Sequence, residues 1–204
     1  EWTFLDSNEF GLPVNARFGD STAIRGDTIV IGAQDGNTVY VYDGSLTQPA
    51  ELTRSDGGAL GWDVAIAADD GATIVASSMW RTFVFERQGT EGSSATETAR
   101  LMPDSPDPGG IRFGFSLDVS DDGNTVVVGA VSDPAKTAYG FERSGAGWSP
   151  LPDLAPTEPP IGILGSGVAI DGSLSLVGAR DDSKVFRFEI DPSVPTPNSP
   201  PIAN

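Results

Sequence analysis

The 204-residue chain contains no cysteine and no histidine. The first absence removes disulfides, thiolate nucleophiles and iron–sulfur centres; the second removes the commonest general base and the commonest transition-metal ligand. Cationic residues are also few. Twelve Lys and Arg face 29 Asp and Glu, and the net charge of −17 repels phosphate backbones and anionic lipid headgroups. Nucleic-acid partners are therefore not expected. No apolar run approaches the roughly 18–20 residues that a spanning helix needs, so direct membrane insertion is not expected either. Glu1 opens the chain without the basic and apolar sections of a signal peptide, which reads as a processed or excised piece. What is left is carboxylate, hydroxyl, lysine, arginine and tyrosine chemistry, or no chemistry at all. At 38% hydrophobic the chain still has enough apolar material for one ordinary domain with its own core.

What is present is repetition. Phe18-Gly19-Asp20-Ser21-Thr22-Ala23-Ile24 aligns without gaps on Leu60-Gly61-Trp62-Asp63-Val64-Ala65-Ile66, on Phe113-Gly114-Phe115-Ser116-Leu117-Asp118-Val119 and on Leu164-Gly165-Ser166-Gly167-Val168-Ala169-Ile170. The starts are 42, 53 and 51 residues apart, the length of a four-stranded propeller blade. Each copy continues through a tight turn (Arg25-Gly26-Asp27, Asp69-Asp70-Gly71, Asp121-Asp122-Gly123, Asp171-Gly172) into an apolar, mostly β-branched run: Thr28–Ala33, Thr73–Ser77, Thr125–Ala130 or Leu174–Ala179. An aromatic-x-aromatic strand follows: Tyr40-Val41-Tyr42, Phe83-Val84-Phe85, Tyr139-Gly140-Phe141 and Phe186-Arg187-Phe188. The two-residue period of a strand puts both rings on one face, where they can pack between neighbouring sheets. No 3.6-residue amphipathic pattern of helical length occurs, so helix content should be close to nil.

The pattern resembles FG-GAP repeats, the family of the integrin α-subunit N-terminal propeller. Phe18-Gly19 with Ile31-Gly32-Ala33, and Phe113-Gly114 with Val128-Gly129-Ala130, match the naming motif. The other copies depart, with Leu60-Gly61, Leu164-Gly165 and Ala76-Ser77. The resemblance covers about residues 2–190 and implies an all-β propeller, extracellular or at the cell surface, that binds a protein or glycan in adhesion.

The expected fold is thus four blades of four antiparallel strands over residues 1–190, followed by a Pro-rich linker or tail, 191–204. Outer strands are expected at Glu51–Thr53, Glu97–Leu101 and Trp148–Leu154. The fourth copy has none. Trp2 precedes Phe18 by the same 16 residues that separate Trp148 from Leu164, so Trp2–Leu5 is expected to complete the fourth blade and close the ring. The alternative is pairing of that strand with another chain.

In an up-and-down blade the loop after the second strand shares a face with the connector to the next blade. Those loops carry the candidate ligand-binding residues Asp35, Trp80, Arg81, Asp133, Lys136, Arg180, Asp181 and Asp182. Convergent loops on a rigid scaffold are where ligands bind, although a solvated polar rim has the same composition. No cofactor is expected. The one calcium candidate, Asp118, Asp121 and Asp122 ahead of Thr125, offers too few oxygens for a six- to eight-coordinate ion and reads as an Asp-Gly hairpin. Arg25-Gly26-Asp27 spells an adhesive tripeptide but occupies the turn where its sibling repeats carry Asp-Gly. Adjacent acids such as Asp181-Asp182 or Asp121-Asp122 point apart, unlike the facing pair of a glycosidase. The reading is a noncatalytic binding propeller. The alternatives are a structural subunit of a larger assembly, at a surface or in an organelle lumen, and a carbohydrate-active enzyme.

Overall fold

The computed structural model describes residues 15–44, 49–68, 72–78, 80–87, 94–103, 110–132, 138–152, 154–156 and 163–190. Among these, 15 strands form four antiparallel sheets, each ordered as its strands occur in the chain. Blade 1 holds β1 (Phe18–Arg25), β2 (Thr28–Ala33), β3 (Thr38–Asp43) and β4 (Ala50–Leu52). Blade 2 holds β5 (Val64–Ile66), β6 (Thr73–Ser78), β7 (Arg81–Arg87) and β8 (Ala95–Leu101). Blade 3 holds β9 (Phe113–Val119), β10 (Thr125–Ala130), β11 (Ala138–Ser144) and β12 (Gly147–Pro150). Blade 4 is described as β13 (Leu164–Asp171), β14 (Leu174–Ala179) and β15 (Lys184–Glu189).

The four sheets fall where the repeats place them. The outer strand of blade 3 stops at Pro150 rather than at Leu154, because Pro150 and Pro152 have no N–H to continue a ladder; Leu154 survives as an isolated bridge to Ala138. There is no α-helix among the described residues. Among the described residues two three-residue 3-10 turns occur, Gln34–Gly36 and Arg180–Asp182, at matching places in blades 1 and 4, each ended by a left-handed residue, Asn37 or Ser183.

Alternation gives each blade two unlike faces. The aromatic face looks back to the preceding blade and the valine face looks forward. Phe83 and Phe85 of blade 2 therefore share a cluster with Val30, Val39 and Val41 of blade 1. Phe113 and Phe141 of blade 3 share one with Val75 and Val84 of blade 2, and Phe188, Ile170 and Val177 of blade 4 pack with Val127 and Ala138 of blade 3. Burial of these side chains is the main favourable term in the seams, at roughly 1.5–3 kcal/mol for each fully buried Val or Phe.

Glycines set how closely the blades approach. Gly61 (φ 92°), Gly114 (φ 91°) and Gly165 (φ 72°) each open a repeat, and each carbonyl faces the second strand of the blade before. Gly61 O lies 2.4 Å from where a Cβ on Gly32 would sit, and Gly165 O lies 2.2 Å from the same point on Gly129. Only glycine fits there. The same carbonyls accept hydrogen bonds from Ser21 Oγ (3.4 Å) and Ser116 Oγ (2.8 Å). Blade 2 departs from the motif and solves the contact otherwise: Ser77 Oγ donates to Gly114 O at 2.7 Å.

Polar latches complete the seams. Asp63 Oδ2 accepts from Leu117 N at 2.8 Å, and Asp118 Oδ2 accepts from Ile170 N at 2.9 Å, so a carboxylate of one blade receives the inner strand of the next. At the far end of the third strand an arginine reaches back. Arg87 pairs with Asp43 and donates to Thr28 Oγ1 at 3.0 Å. Arg143 repeats this one seam on, to Glu86 (2.7 Å) and Thr73 Oγ1 (3.2 Å), with its guanidinium 4.8 Å from the Trp148 ring centre.

Ring-on-valine packing recurs in all three seams, whereas the arginine latch joins blades 1–2 and 2–3 and the carboxylate latch joins blades 2–3 and 3–4. Among the described residues blade 4 shows no comparable packing on blade 1. Ile24 on the back of blade 1 is 67% exposed, and Leu176 and Val185 on the front of blade 4 are 39% and 66% exposed. The expected closing strand, Trp2–Leu5, and the tail 191–204 lie outside the described residues, as does the turn Asp69-Asp70-Gly71.

Candidate functional site: the loop face

The connector to each blade and the loop between its second and third strands do share one face. Gly36 N donates to Ala16 O (3.3 Å), Ser132 N to Ile111 O (3.1 Å) and Arg180 N to Ile163 O (3.1 Å), tying each loop to the segment that leads into its own blade. The loop residues are held singly along this face, blade by blade. Asp35 lies 3.3 Å from Arg17, whose guanidinium also reaches Asp20 (3.5 Å). Arg180 pairs with Asp181 at 3.3 Å, and Asp181 Oδ2 accepts from Ile163 N at 3.4 Å. Asp182 is half-buried in the same turn. Asp133 and Lys136 lie outside the described residues.

The most developed site is on blade 2. Trp80 stands in the two-residue connection between Ser78 and Arg81, which pair with one another, and it is 53% exposed. Arg81 turns to the connector entering the blade and meets Asp56 at 2.9 Å. Two further guanidiniums converge on that carboxylate: Arg54 at 2.7 Å and Arg100 at 3.4 Å. Arg54 and Arg100 also lie over the Phe83 ring, 4.7 and 5.3 Å from its centre, a cation–π arrangement. Glu97 ties the outer strand in, accepting from Ser55 N at 2.8 Å and lying 3.5 Å from Arg100. The hydrogen bonds from Arg54 hold the Asp56 carboxyl below its ordinary range. Three guanidiniums thus stand against two carboxylates, with the exposed Trp80 next in sequence to one of the three arginines, a cationic island on a strongly acidic protein.

Arg54, Asp56, Glu97 and Arg100 escaped the sequence reading because they lie on a connector and an outer strand, outside the repeated core. The one local signal was the Arg54-x-Asp56 spacing. The calcium candidates are occupied by protein donors. Asp118 accepts from Val119 N (2.9 Å) and Ile170 N, Asp122 accepts from Ser120 Oγ (2.6 Å) and Asn124 N (3.0 Å), and Asp121 pairs with Arg25. Arg25 of the adhesive tripeptide is therefore engaged across the inner end of the blades.

No family model matches the chain. No curated protein matches it by sequence. Solved structures do resemble it. The β-propeller domain of Cps50 (Swd1) from Myceliophteria thermophila matches 84% of this chain and 50% of its own, at 11% identity and a TM-score of 0.61. A chain of the mitotic checkpoint complex matches 84% of this chain and 49% of its own, at 15% identity and a TM-score of 0.59. A chain in the complex of KlAtg21 with the coiled coil of AgAtg16 matches 85% and 53%, at 11% identity and a TM-score of 0.57. At such identities the likeness defines the fold: the chain is an all-β propeller of repeated blades. It spans about half the length of the structures it matches.

Proposed function

We propose that the protein is a noncatalytic propeller scaffold that binds a protein partner through the loop face of blade 2. The observation that carries this reading is Trp80, half exposed on a two-residue turn beside Arg81. Trp and Arg are the residues that most often anchor protein interfaces, because each combines a large buried area with a directional polar group. The arginine island supplies the complementary feature, selecting an acidic segment that carries an apolar anchor for the indole. Two of the similar structures are themselves of protein complexes, the mitotic checkpoint complex and the complex with the AgAtg16 coiled coil. The absence of histidine and cysteine supports a role without catalysis. High acidity without cysteine supports placement outside the cytoplasm, at the cell surface or in an organelle lumen, with the FG-GAP resemblance behind adhesion as the biological setting.

The test is peptide selection on the immobilised protein, with Trp80→Ala as the counter-target and a glycan array run in parallel. Acidic peptides bearing an apolar residue should be enriched and should lose at least tenfold in affinity on Trp80→Ala or Arg81→Ala, with thermal stability unchanged. Enrichment indifferent to both substitutions would sink the reading, and binding of glycans alone would transfer the face to a carbohydrate ligand.

A further inference from the structure

The front of blade 4 repeats, position by position, the faces that the other blades bury. Leu176 occupies the place of Val30, Val75 and Val127, and Val185 that of Val39, Thr82 and Ala138. All six counterparts are fully buried, against 39% and 66% exposure for Leu176 and Val185. Gly178 occupies the place of Gly32 and Gly129. Those two are glycines because the next blade's carbonyl stands within 2.4 Å of a Cβ position; at Gly178 the nearest atom among the described residues is Gly167 O of its own blade, at 3.4 Å. The space that the two earlier glycines give to a following blade is therefore present on blade 4 and, among the described residues, unfilled. Glu189 likewise occupies the place of Asp43 and Glu86, the acids that receive Arg87 and Arg143 across their seams. It is exposed and, among the described residues, pairs within its own strand, with Arg187 at 2.6 Å.

We infer that the front of blade 4 is a docking face for one further blade of the same repeat, presenting an aromatic-x-aromatic strand that ends in acid-Arg. This concerns a different face from the loop site and does not depend on it. The occupant follows from continuity with the seams already built: aromatic rings onto Leu176 and Val185, as in all three; a Phe/Leu-Gly carbonyl onto Gly178, as at Gly32 and Gly129; and an arginine onto Glu189, as in the first two seams, Ile190 taking the arginine's place in the third. A second copy of this chain fits less well. Its own first blade has Gly44 where Arg87 and Arg143 stand, and its back-face rings, Tyr40 and Tyr42, are already fully buried.

The chain has no cysteine, so a single thiol reports on this face without interference. Val185→Cys is made in the 204-residue protein and in the same protein extended after Asn204 by a copy of its residues 57–103, which include Arg87. A second extension carries residues 110–156. The rate of maleimide labelling is measured at several protein concentrations. The inference predicts fast labelling of the unextended protein at every concentration, at least tenfold slower labelling in an extended one, and return of the fast rate when Gly178→Ala is added. It is overturned by equally fast labelling of both extended forms, or by protection that Gly178→Ala does not relieve. Slow labelling of the dilute unextended protein also overturns it, since the chain would then cover its own face. Protection that grows with concentration without any extension overturns it in favour of a second copy.

Discussion

Three glycines at one repeat position experience different surroundings, and alanine at each separates seam packing from backbone effects. In Gly129→Ala the new methyl would lie 2.2 Å from Gly165 O and 2.5 Å from Ser116 Oγ, against about 3.3 Å for a tolerable C···O contact. The carbonyl belongs to the neighbouring blade's backbone, so the seam must open by about 1 Å. A gap of that size forfeits a quarter to a half of the dispersion energy across it. The Ser116–Gly165 hydrogen bond goes as well, for about 1 kcal/mol. A loss of about 2–4 kcal/mol is expected, which for a chain of this size lowers Tm by about 5–15 °C. Gly32→Ala meets Gly61 O at 2.4 Å and should behave alike. At Gly178 the same methyl meets ordinary contacts and restricts the unfolded chain, so Gly178→Ala should be neutral or stabilising by about 0.4–1 kcal/mol. The assay is urea unfolding followed by tryptophan fluorescence, comparing midpoints at constant slope. If Gly129→Ala proves as stable as Gly178→Ala, the close approach of blades 3 and 4 is refuted.

Three other substitutions probe the seams. Burial raises the Asp63 pKa to about 6. The native state therefore holds this proton through a range, from about pH 4 to 6, where the unfolded chain has released it, and the stability it contributes is lost as pH rises through 6. Asp63→Asn should flatten that part of the stability–pH profile, by roughly 2 kcal/mol between pH 4 and 7.5, as read by thermal melts across pH. Arg143→Ala should cost about 1–3 kcal/mol by leaving Glu86 and Thr73 without their cross-seam donor, and a double-mutant cycle with Glu86→Ala should show coupling. Ser175 buries a hydroxyl that has no hydrogen-bond partner among the described residues, in the place of Ile29, Ile74 and Val126, so Ser175→Val should stabilise by about 1 kcal/mol in urea unfolding.

The repeated core was readable because each blade must solve the same packing problem. The Gly32 and Gly129 motif, the β-branched runs and the paired rings all recur because they make the same seam. Where a copy departs, the sequence hid the substitute: Ser77 gave no sign that its hydroxyl would meet Gly114 O. Asp63 read as an ordinary polar position and Asp118 as part of a calcium candidate, since what distinguishes both is the backbone of the following blade, 54 and 52 residues away. The arginine island was hidden for a similar reason. Asp56, Arg81 and Arg100 come together through a connector, a turn and an outer strand that share no period. Trp80 was legible because a large aromatic in a short polar turn has no core to enter. The open front of blade 4 was not legible, because Leu176 and Val185 carry the composition of a buried strand.

The central claim is that each blade lays its rings on the valine face of the blade before it. NOE spectroscopy on methyl-labelled valine with aromatic-labelled phenylalanine tests this most directly. The account predicts cross-peaks from Phe83 and Phe85 to Val39 and Val41, from Phe113 and Phe141 to Val75 and Val84, and from Phe188 to Val127. Rings that see only the methyls of their own sheet would contradict it.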